Sequence, residues 1–170
     1  MKYISVILPM YNEEANILPM YQKVTKVLHG INRDYEIIFV DDGSKDRTFT
    51  YLSELHKRDG HVKVISFRRN YGKAAGLAAG FRQAQGEIVI TMDGDLQDEP
   101  EEIRNFLAVM DKGYDLVTGW KANKHRESVL RILPSRAFNL LTRKLTGLKI
   151  HDFNCPFKAY RREVVKELNL

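Results

Sequence analysis

The sequence is poor in cysteine, proline and tryptophan, with one, five and one among 170 residues. A lone Cys155 excludes an intrachain disulfide and argues against a cysteine-based zinc site. No run of about 18 apolar residues occurs, so we expect no bilayer-spanning helix in this segment. The N-terminus leads directly into a strand-like run without the anatomy of a signal peptide, which predicts folding in a reducing, cytoplasmic setting.

Charge is present in both signs but is unevenly distributed. Apolar residues make up 44% and charged residues 29% of the chain, which is typical of a globular domain and argues against a disordered chain or a fibrous repeat. Residues 1–120 carry 15 Lys or Arg and 18 Asp or Glu, whereas residues 121–150 carry eight and one. This basic block favours an anionic partner, namely phosphate, nucleic acid or a lipid surface; the alternative is a solvated helix face.

Short runs rich in Val and Ile alternate with segments of helical length. The strand-like runs are 3–8, 35–40, 62–67, 87–92 and, more weakly, 115–119, and the helical segments include 15–28, 46–57 and 100–110. This alternation predicts an α/β fold whose mainly parallel sheet is covered by helices on both faces. Since ligands of such sheets bind beyond the carboxyl ends of the strands, the loops after the first four strands form the candidate site.

Paired aspartates occur in two of these loops. Asp93 and Asp95 follow the fourth strand, where their mutual repulsion favours a bound cation; their oxygens and that of Gln97 suit Mg²⁺ or Mn²⁺. The alternative is a solvated turn. Asp41 and Asp42 follow the second strand and can accept hydrogen bonds from a nucleotide base or ribose, although the same residues also suit a plain turn.

The third loop contains glycines at a spacing of four. Gly72, Gly76 and Gly80 predict a helix face that approaches the sheet closely. The spacing is not G-x-G-x-x-G after the first strand, and Gly72-Lys73 lacks the other residues of a P-loop, so dinucleotide oxidoreductases and P-loop NTPases are disfavoured. Gly72-Lys73 at a helix start can still approach a phosphate or a base, and a simple turn is the alternative.

Four motifs in chain order carry a resemblance to a known family: VILPMYNEE, VDDGSKDRT, RNYGKAAGLAAG and MDGDLQDEP. Together they resemble the family 2 inverting glycosyltransferases, which have a single-domain, Rossmann-like GT-A fold. The later stretches VTGWK, PSRAFN and DFNCPFKAY are similar to the polyprenyl-phosphate branch, which includes dolichyl-phosphate mannosyltransferases and bacterial undecaprenyl-phosphate glycosyltransferases. The resemblance covers essentially the whole chain.

The resemblance implies a role for each matching residue. The implied nucleotide-binding residues are Pro9, Tyr11, Glu13, Asp41, Asp42, Gly72, Lys73 and Asp93. The implied ligands of Mg²⁺ or Mn²⁺ are Asp93, Asp95 and Gln97, and the implied acceptor-phosphate residues are Arg126, Arg131, Ser135 and Arg136. The implied catalytic residues are Asp95 and Asp152.

The implied activity is metal-dependent, inverting transfer of a sugar from a UDP- or GDP-sugar to a polyprenyl phosphate at the cytoplasmic face of a membrane. Residues 1–119 would form the nucleotide-sugar-binding α/β core, and 120–170 an acceptor-side segment of the same domain with a basic, amphipathic, membrane-surface helix. A dianionic lipid phosphate needs positioning by cations, whereas a sugar hydroxyl needs a general base. No nucleic-acid partner is expected, because no aromatic stacking platform is recognisable.

Two alternatives stay open at this point. One is a family 2 glycosyltransferase with a saccharide hydroxyl acceptor, as in polysaccharide or cell-wall synthesis, and the other is a non-catalytic module that binds nucleotide-sugar or nucleic acid.

Pro156 stands where relatives carry glycine, which removes an N–H and restricts φ near the acceptor side. The chain also stops soon after this motif, so we expect it to be truncated relative to the family.

Overall fold

The computed structural model describes residues 3–119 and 155–167. The described strands are β1 Ile4–Met10, β2 Tyr35–Asp41, β3 Val62–Ser66, β4 Ile88–Thr91, β5 Leu116–Thr118 and β6 Lys158–Arg161. The described helices are α1 Ile17–His29, α2 Thr48–Arg58, α3 Lys73–Gln83, α4 Ile103–Met110, which follows a 3₁₀ turn at Pro100–Glu102, and α5 Arg162–Glu167. Within these ranges no helix has the length and apolarity needed to cross a bilayer.

The chain divides into two compact units. One consists of Met1–Val117 and Phe157–Leu170, and it contains nearly all the described elements. The other, Thr118–Pro156, lies almost entirely outside the described residues. The assignment of 120–170 to an acceptor-side segment therefore stays a prediction.

The sheet confirms the predicted α/β fold and its mainly parallel strands. Its order is β3-β2-β1-β4-β6-β5, in which β1 to β4 pair in parallel and β6 runs antiparallel to β4. Pro9 lies inside β1 rather than after it, beyond the last residue of β1 that pairs with β4. The sequence did not predict β6, because Lys158–Arg161 has no apolar run and becomes a strand through its pairing with β4.

Helices cover both faces of the sheet. On one face Ile7, Ile38 and Val89 pack with Phe81 of α3 and Val165 of α5. From β1 the chain adds β2 and then β3 on one side of β1, and it then crosses back to add β4 on the other side. Because each crossover between parallel strands is right-handed, α1 and α2 lie on the opposite face of the sheet from α3. There α1 packs against α2, and α2 packs on β2 and β3. This double cover explains why every residue of β2 and β4 is buried.

Small residues allow α3 to lie close to the sheet, as their spacing predicts. A Cβ added at Gly76 would lie 3.5 Å from Pro9 Cβ, and one at Gly80 would overlap the side chain of Ile7. The helix therefore begins directly above the carboxyl end of β1, and this places Lys73 at the edge where the polar loops lie.

A buried polar network joins the strands at the opposite end of the sheet. Glu36 in β2 accepts hydrogen bonds from Ser5 Oγ at 2.6 Å and from the Gln85 N–H at 2.7 Å, and it pairs with Lys63 Nζ at 2.6 Å. Burial raises the pKa of Glu36, but the bonds from Lys63, Ser5 and Gln85 outweigh burial and the pKa is lowered below its ordinary value. Ser5 Oγ in turn accepts the Gly86 N–H at 2.8 Å.

This network predicts a specific pH dependence of stability. Because the folded-state pKa of Glu36 lies below its unfolded value, the stabilisation is complete above about pH 5 and is lost as the pH falls through the folded pKa. Glu36→Gln should lower the free energy of unfolding at pH 7 by about 1–3 kcal/mol and should flatten its decline in acid. Urea denaturation at several pH values measures both effects, and an equally steep acid decline in the variant would contradict the assignment.

Candidate functional site

The loops after β1 and β2 are fastened to each other by hydrogen bonds between backbone N–H groups and side chains. The Asn12 N–H donates to Ser44 Oγ at 2.9 Å, and the Lys45 N–H donates back to Asn12 Oδ1 at 2.8 Å. The Glu13 N–H donates to Thr48 Oγ1 at 2.9 Å. Asn12 has φ 53°, a left-handed conformation that asparagine tolerates better than most residues. The two loops therefore form one platform beyond the strand ends.

Three predicted nucleotide-binding residues lie on or beside this platform. Pro9 is half-buried near the end of β1, and the Tyr11 side chain is 40% exposed. Glu13 accepts a hydrogen bond from Asn16 Nδ2 at 2.5 Å, which holds its carboxylate at the start of α1. The structure thus brings these residues to one edge, and their contact with a base or ribose stays a prediction.

Asp41 is a buried link between β2 and its neighbours. The residue is 2% exposed, and its carboxylate accepts the Ser44 N–H at 3.1 Å and the Ser66 hydroxyl at 3.0 Å. Both carboxylate oxygens therefore already have a protein donor. Any nucleotide group that Asp41 binds would have to use a remaining lone pair.

Asp42 fixes the loop between β3 and α3. It is 4% exposed, and its two oxygens accept the N–H groups of Tyr71 at 2.7 Å and Gly72 at 2.8 Å. Gly72 has φ 91° and ψ 159°, a backbone conformation that is essentially restricted to glycine. The Asp42 carboxylate and the Gly72 backbone together determine where α3 begins.

The loop after β4 holds the three predicted metal ligands, Asp93, Asp95 and Gln97. Asp93 Oδ1 pairs with Lys73 Nζ, and the Asp93 N–H donates to Asp98 Oδ2 at 3.1 Å. Asp95 Oδ1 accepts the Gln97 N–H at 3.1 Å in a tight local turn. Gly94 between the aspartates is buried against Met10, whose sulfur leaves no space for a Cβ.

These residues fit a divalent cation that takes most of its ligands from elsewhere. Among residues 3–119 and 155–167 no group of three or more His, Cys, Asp or Glu side chains is placed to hold a metal. The loop after β4 contains two carboxylates and an amide oxygen, and cation binding by Asp93, Asp95 and Gln97 stays a prediction. Mg²⁺ and Mn²⁺ commonly bind through one or two carboxylates and complete their coordination with water and substrate phosphates.

Several contacts at this edge are not predicted from the sequence. Asp98 is 4% exposed and orients the Asp93 backbone, while Ser66 and Thr48 join neighbouring loops through their hydroxyls. Asp98 lies in the same acidic run as Asp93 and Asp95, so its position was a usable signal. The hydroxyl contacts join residues up to 35 positions apart, so no local sequence pattern predicts them.

The residues predicted to act on the acceptor lie outside the described residues. This applies to the catalytic candidate Asp152, to the phosphate-binding candidates Arg126, Arg131, Ser135 and Arg136, and to the basic amphipathic helix. Their roles stay predictions.

A doubly covered, mainly parallel sheet whose polar loops meet at the carboxyl ends of β1 to β4 defines an α/β protein, and this edge is where proteins with such sheets bind their ligands. Residues 5–169 match the model of the family described as Glycosyl transferase family 2. Because the match covers nearly the whole chain, the chain belongs to glycosyltransferase family 2, and the resemblance seen in its motifs is confirmed.

Two curated relatives of this chain share one protein name. The undecaprenyl-phosphate 4-deoxy-4-formamido-L-arabinose transferase of Pseudomonas paraeruginosa (strain DSM 24068 / PA7) is 40% identical over 166 residues, covering 97% of this chain and 49% of the relative. The transferase of the same name from Shewanella sediminis (strain HAW-EB3) is 36% identical over 167 residues, covering 98% and 50%. The chain thus spans about half the length of the curated relatives it matches.

Solved structures support the GT-A fold. Glucosyl-3-phosphoglycerate synthase from Mycobacterium tuberculosis, in complex with Mn²⁺, UDP-glucose and phosphoglyceric acid, has a TM-score of 0.72 at 23% identity, covering 96% of this chain and 58% of that one. Residues 1–349 of S. aureus TarS give a TM-score of 0.62 at 23% identity, covering 98% and 48%. At these identities the likeness shows the fold alone.

The role of Asp42 as a loop anchor predicts the effect of an isosteric change. Asp42→Asn keeps the shape but offers an NH₂ group to one of the two N–H donors, which should cost about 1–3 kcal/mol of unfolding free energy. Hydrogen exchange should accelerate at the Tyr71 and Gly72 amides. Asp34→Asn, at an exposed position, is the control for charge. Unchanged urea stability and unchanged exchange at these amides would show that Asp42 does not anchor the loop.

Proposed function

We propose that this chain is part of a metal-dependent, inverting glycosyltransferase that moves a sugar from a UDP- or GDP-sugar to a polyprenyl phosphate. The observation that carries the proposal is the loop after β4, where Asp93 and Asp95 lie at the same sheet edge as Lys73 and the joined β1 and β2 loops. An acidic pair beside a cationic side chain suits a ligand that brings a diphosphate and a cation together.

The chain's own residues would divide the donor between them. The base and ribose would be held by the platform residues Pro9, Tyr11 and Glu13 and by Asp41. Asp42 would act through the loop it fixes, since both of its oxygens are already bonded to backbone N–H groups. Gly72 and Lys73 would border the phosphates at the start of α3, where the helix N-terminus favours negative charge. Asp93 would face the ribose and the diphosphate.

Mg²⁺ or Mn²⁺ would be held by Asp93, Asp95 and Gln97. When bound, the cation would neutralise the negative charge that grows on the departing nucleoside diphosphate. A synthase with the same fold has been solved with Mn²⁺ and UDP-glucose, which supports this class of donor and cofactor for the present chain.

The acceptor is proposed to be a polyprenyl phosphate, and undecaprenyl phosphate is the form that the names of the curated relatives support. A phosphate oxygen of the lipid would attack the sugar C1 as the bond from C1 to the diphosphate breaks, with inversion at C1. Arg126, Arg131, Ser135 and Arg136 would hold that phosphate, and Asp152 would act as a base or an orienting group. An ionised phosphate has no proton to lose, so positioning by cations is the main requirement.

A lipid acceptor also implies a place for the reaction. The eight Lys and Arg residues of 121–150 are interspersed with apolar side chains, the composition of a segment that lies in a membrane interface beside anionic lipid. We therefore place the reaction at the cytoplasmic face of a membrane, where soluble nucleotide-sugars meet a lipid carrier.

The metal role is tested by Asp95→Asn, with Glu99→Gln as an exposed acidic control in the same loop. A panel of UDP- and GDP-sugars is titrated by calorimetry with and without Mn²⁺, and transfer to undecaprenyl phosphate in detergent is followed by thin-layer chromatography. We expect binding of one nucleotide-sugar to depend on Mn²⁺, and Asp95→Asn to remove that dependence and slow transfer by about a hundredfold or more. Equal nucleotide affinity with and without metal would contradict the proposal.

The acceptor role is tested separately by neutralising the basic block. The variant Arg126→Gln/Arg131→Gln/Arg136→Gln should raise the KM for undecaprenyl phosphate at least tenfold, because it removes the cations proposed to hold the phosphate. Mn²⁺-dependent binding of the nucleotide-sugar should stay unchanged. Intact transfer to lipid phosphate, or transfer to a saccharide hydroxyl instead, would contradict the lipid acceptor.

A further inference from the structure

The acidic pair proposed to bind the cation already has a cation from the protein itself. Lys73 Nζ contacts Asp93 Oδ1, with the Lys73 side chain 49% exposed and the Asp93 side chain 29% exposed. Asp95 uses one oxygen for the Gln97 N–H and makes no ion pair with another described residue. The charge of Asp93 is thus compensated without any bound ion.

Both members of this ion pair are positioned through their backbones. On the lysine side, Asp42 binds the N–H groups of Tyr71 and Gly72, the two residues directly before Lys73. On the aspartate side, Asp98 accepts the Asp93 N–H at 3.1 Å. The contact therefore joins two anchored loops, so it is not a chance meeting of two long, freely mobile side chains.

We propose that Lys73 is an exchangeable counter-ion of Asp93: it neutralises Asp93 in the nucleotide-free protein, opposes binding of a divalent cation there, and releases Asp93 when a nucleoside diphosphate and the cation bind together. This inference rests on the proposed function, because it concerns the same donor site.

The exchange follows from the charges alone. An ammonium group on Asp93 and a divalent cation beside it repel each other, so the cation alone binds weakly. A diphosphate brings oxygens that can replace Asp93 as the partner of Lys73, and this removes the opposition. By linkage, the nucleotide must then raise metal affinity by the same factor by which the metal raises nucleotide affinity.

The experiment measures Mn²⁺ binding directly and does not depend on transfer activity. Free Mn²⁺ is followed by electron paramagnetic resonance while the ion is titrated into the full chain, with and without UDP or GDP. The variants are Lys73→Met and Lys73→Gln, and the matched control is Arg68→Met, which removes one positive charge from an exposed side chain of the same loop. Thermal unfolding establishes that each variant is folded.

We expect both Lys73 variants to bind Mn²⁺ about tenfold more tightly than the wild type in the absence of nucleotide. Even at the dielectric constant of water, the repulsion between a single and a double positive charge about 6 Å apart is enough to weaken binding of the divalent cation about tenfold. The increase in Mn²⁺ affinity caused by the nucleotide should shrink correspondingly, and Arg68→Met should match the wild type in both measurements.

Two results would overturn the inference, and they are distinguishable. If the wild type binds Mn²⁺ with nucleotide and loses it on Asp95→Asn, but the Lys73 variants match Arg68→Met, the counter-ion role is wrong and the proposed function stands. If no nucleotide promotes Mn²⁺ binding, or if Asp95→Asn leaves it unchanged, the metal-dependent function itself is wrong and the inference fails with it.

Discussion

The candidate site depends on two buried carboxylates at the end of β2. Asp41 binds the following turn and the end of β3, and Asp42 binds the loop that leads into α3. Burying two adjacent acids is costly unless each receives hydrogen bonds, and here backbone N–H groups and a hydroxyl provide them. One strand end thereby fixes the geometry of its neighbours, including the residue before Lys73. Without the Asp42 bonds, the loop that leads into α3 would lose this attachment to the end of β2.

The Asp41-Asp42 motif at this edge has a structural role that is independent of any ligand. The resemblance assigns Asp41 and Asp42 to the nucleotide, yet each already has two protein donors. A ligand contact by Asp41 is still compatible, because a carboxylate has about four acceptor positions. For Asp42 the simpler interpretation is positioning, since its bonds decide where the loop ends and α3 begins. A loss of binding on substitution therefore needs a stability measurement beside it before a direct contact is inferred.

The core of the fold is predictable from the sequence because its strands and helices have local sequence patterns. Four strands are recognisable as Val- and Ile-rich runs, and α1, Ile17–His29, lies where the sequence predicts the helical segment 15–28. The sequence does not predict β6, because pairing with β4 creates this strand, and β1 continues through Pro9 to Met10 although a proline commonly marks a strand end. At the site, the acids and glycines were found from their spacing. Their partners, such as Ser66 and Thr48, became recognisable only when distant residues met in space.

The distribution of charge along the chain fits the different requirements of the donor diphosphate and the acceptor phosphate in the proposed function. The part up to residue 120 has an excess of acids, and its acidic pair cannot attract a diphosphate without a cation. The block 121–150 is strongly basic and can attract a phosphate directly. A donor that leaves as a diphosphate gains from a cation that neutralises growing charge, whereas an attacking phosphate must keep its charge on the reacting oxygen. Under the proposed function, acids at the donor and arginines at the acceptor would satisfy both requirements, and the proposed exchange at the Lys73–Asp93 contact would keep Asp93 neutralised until a donor binds.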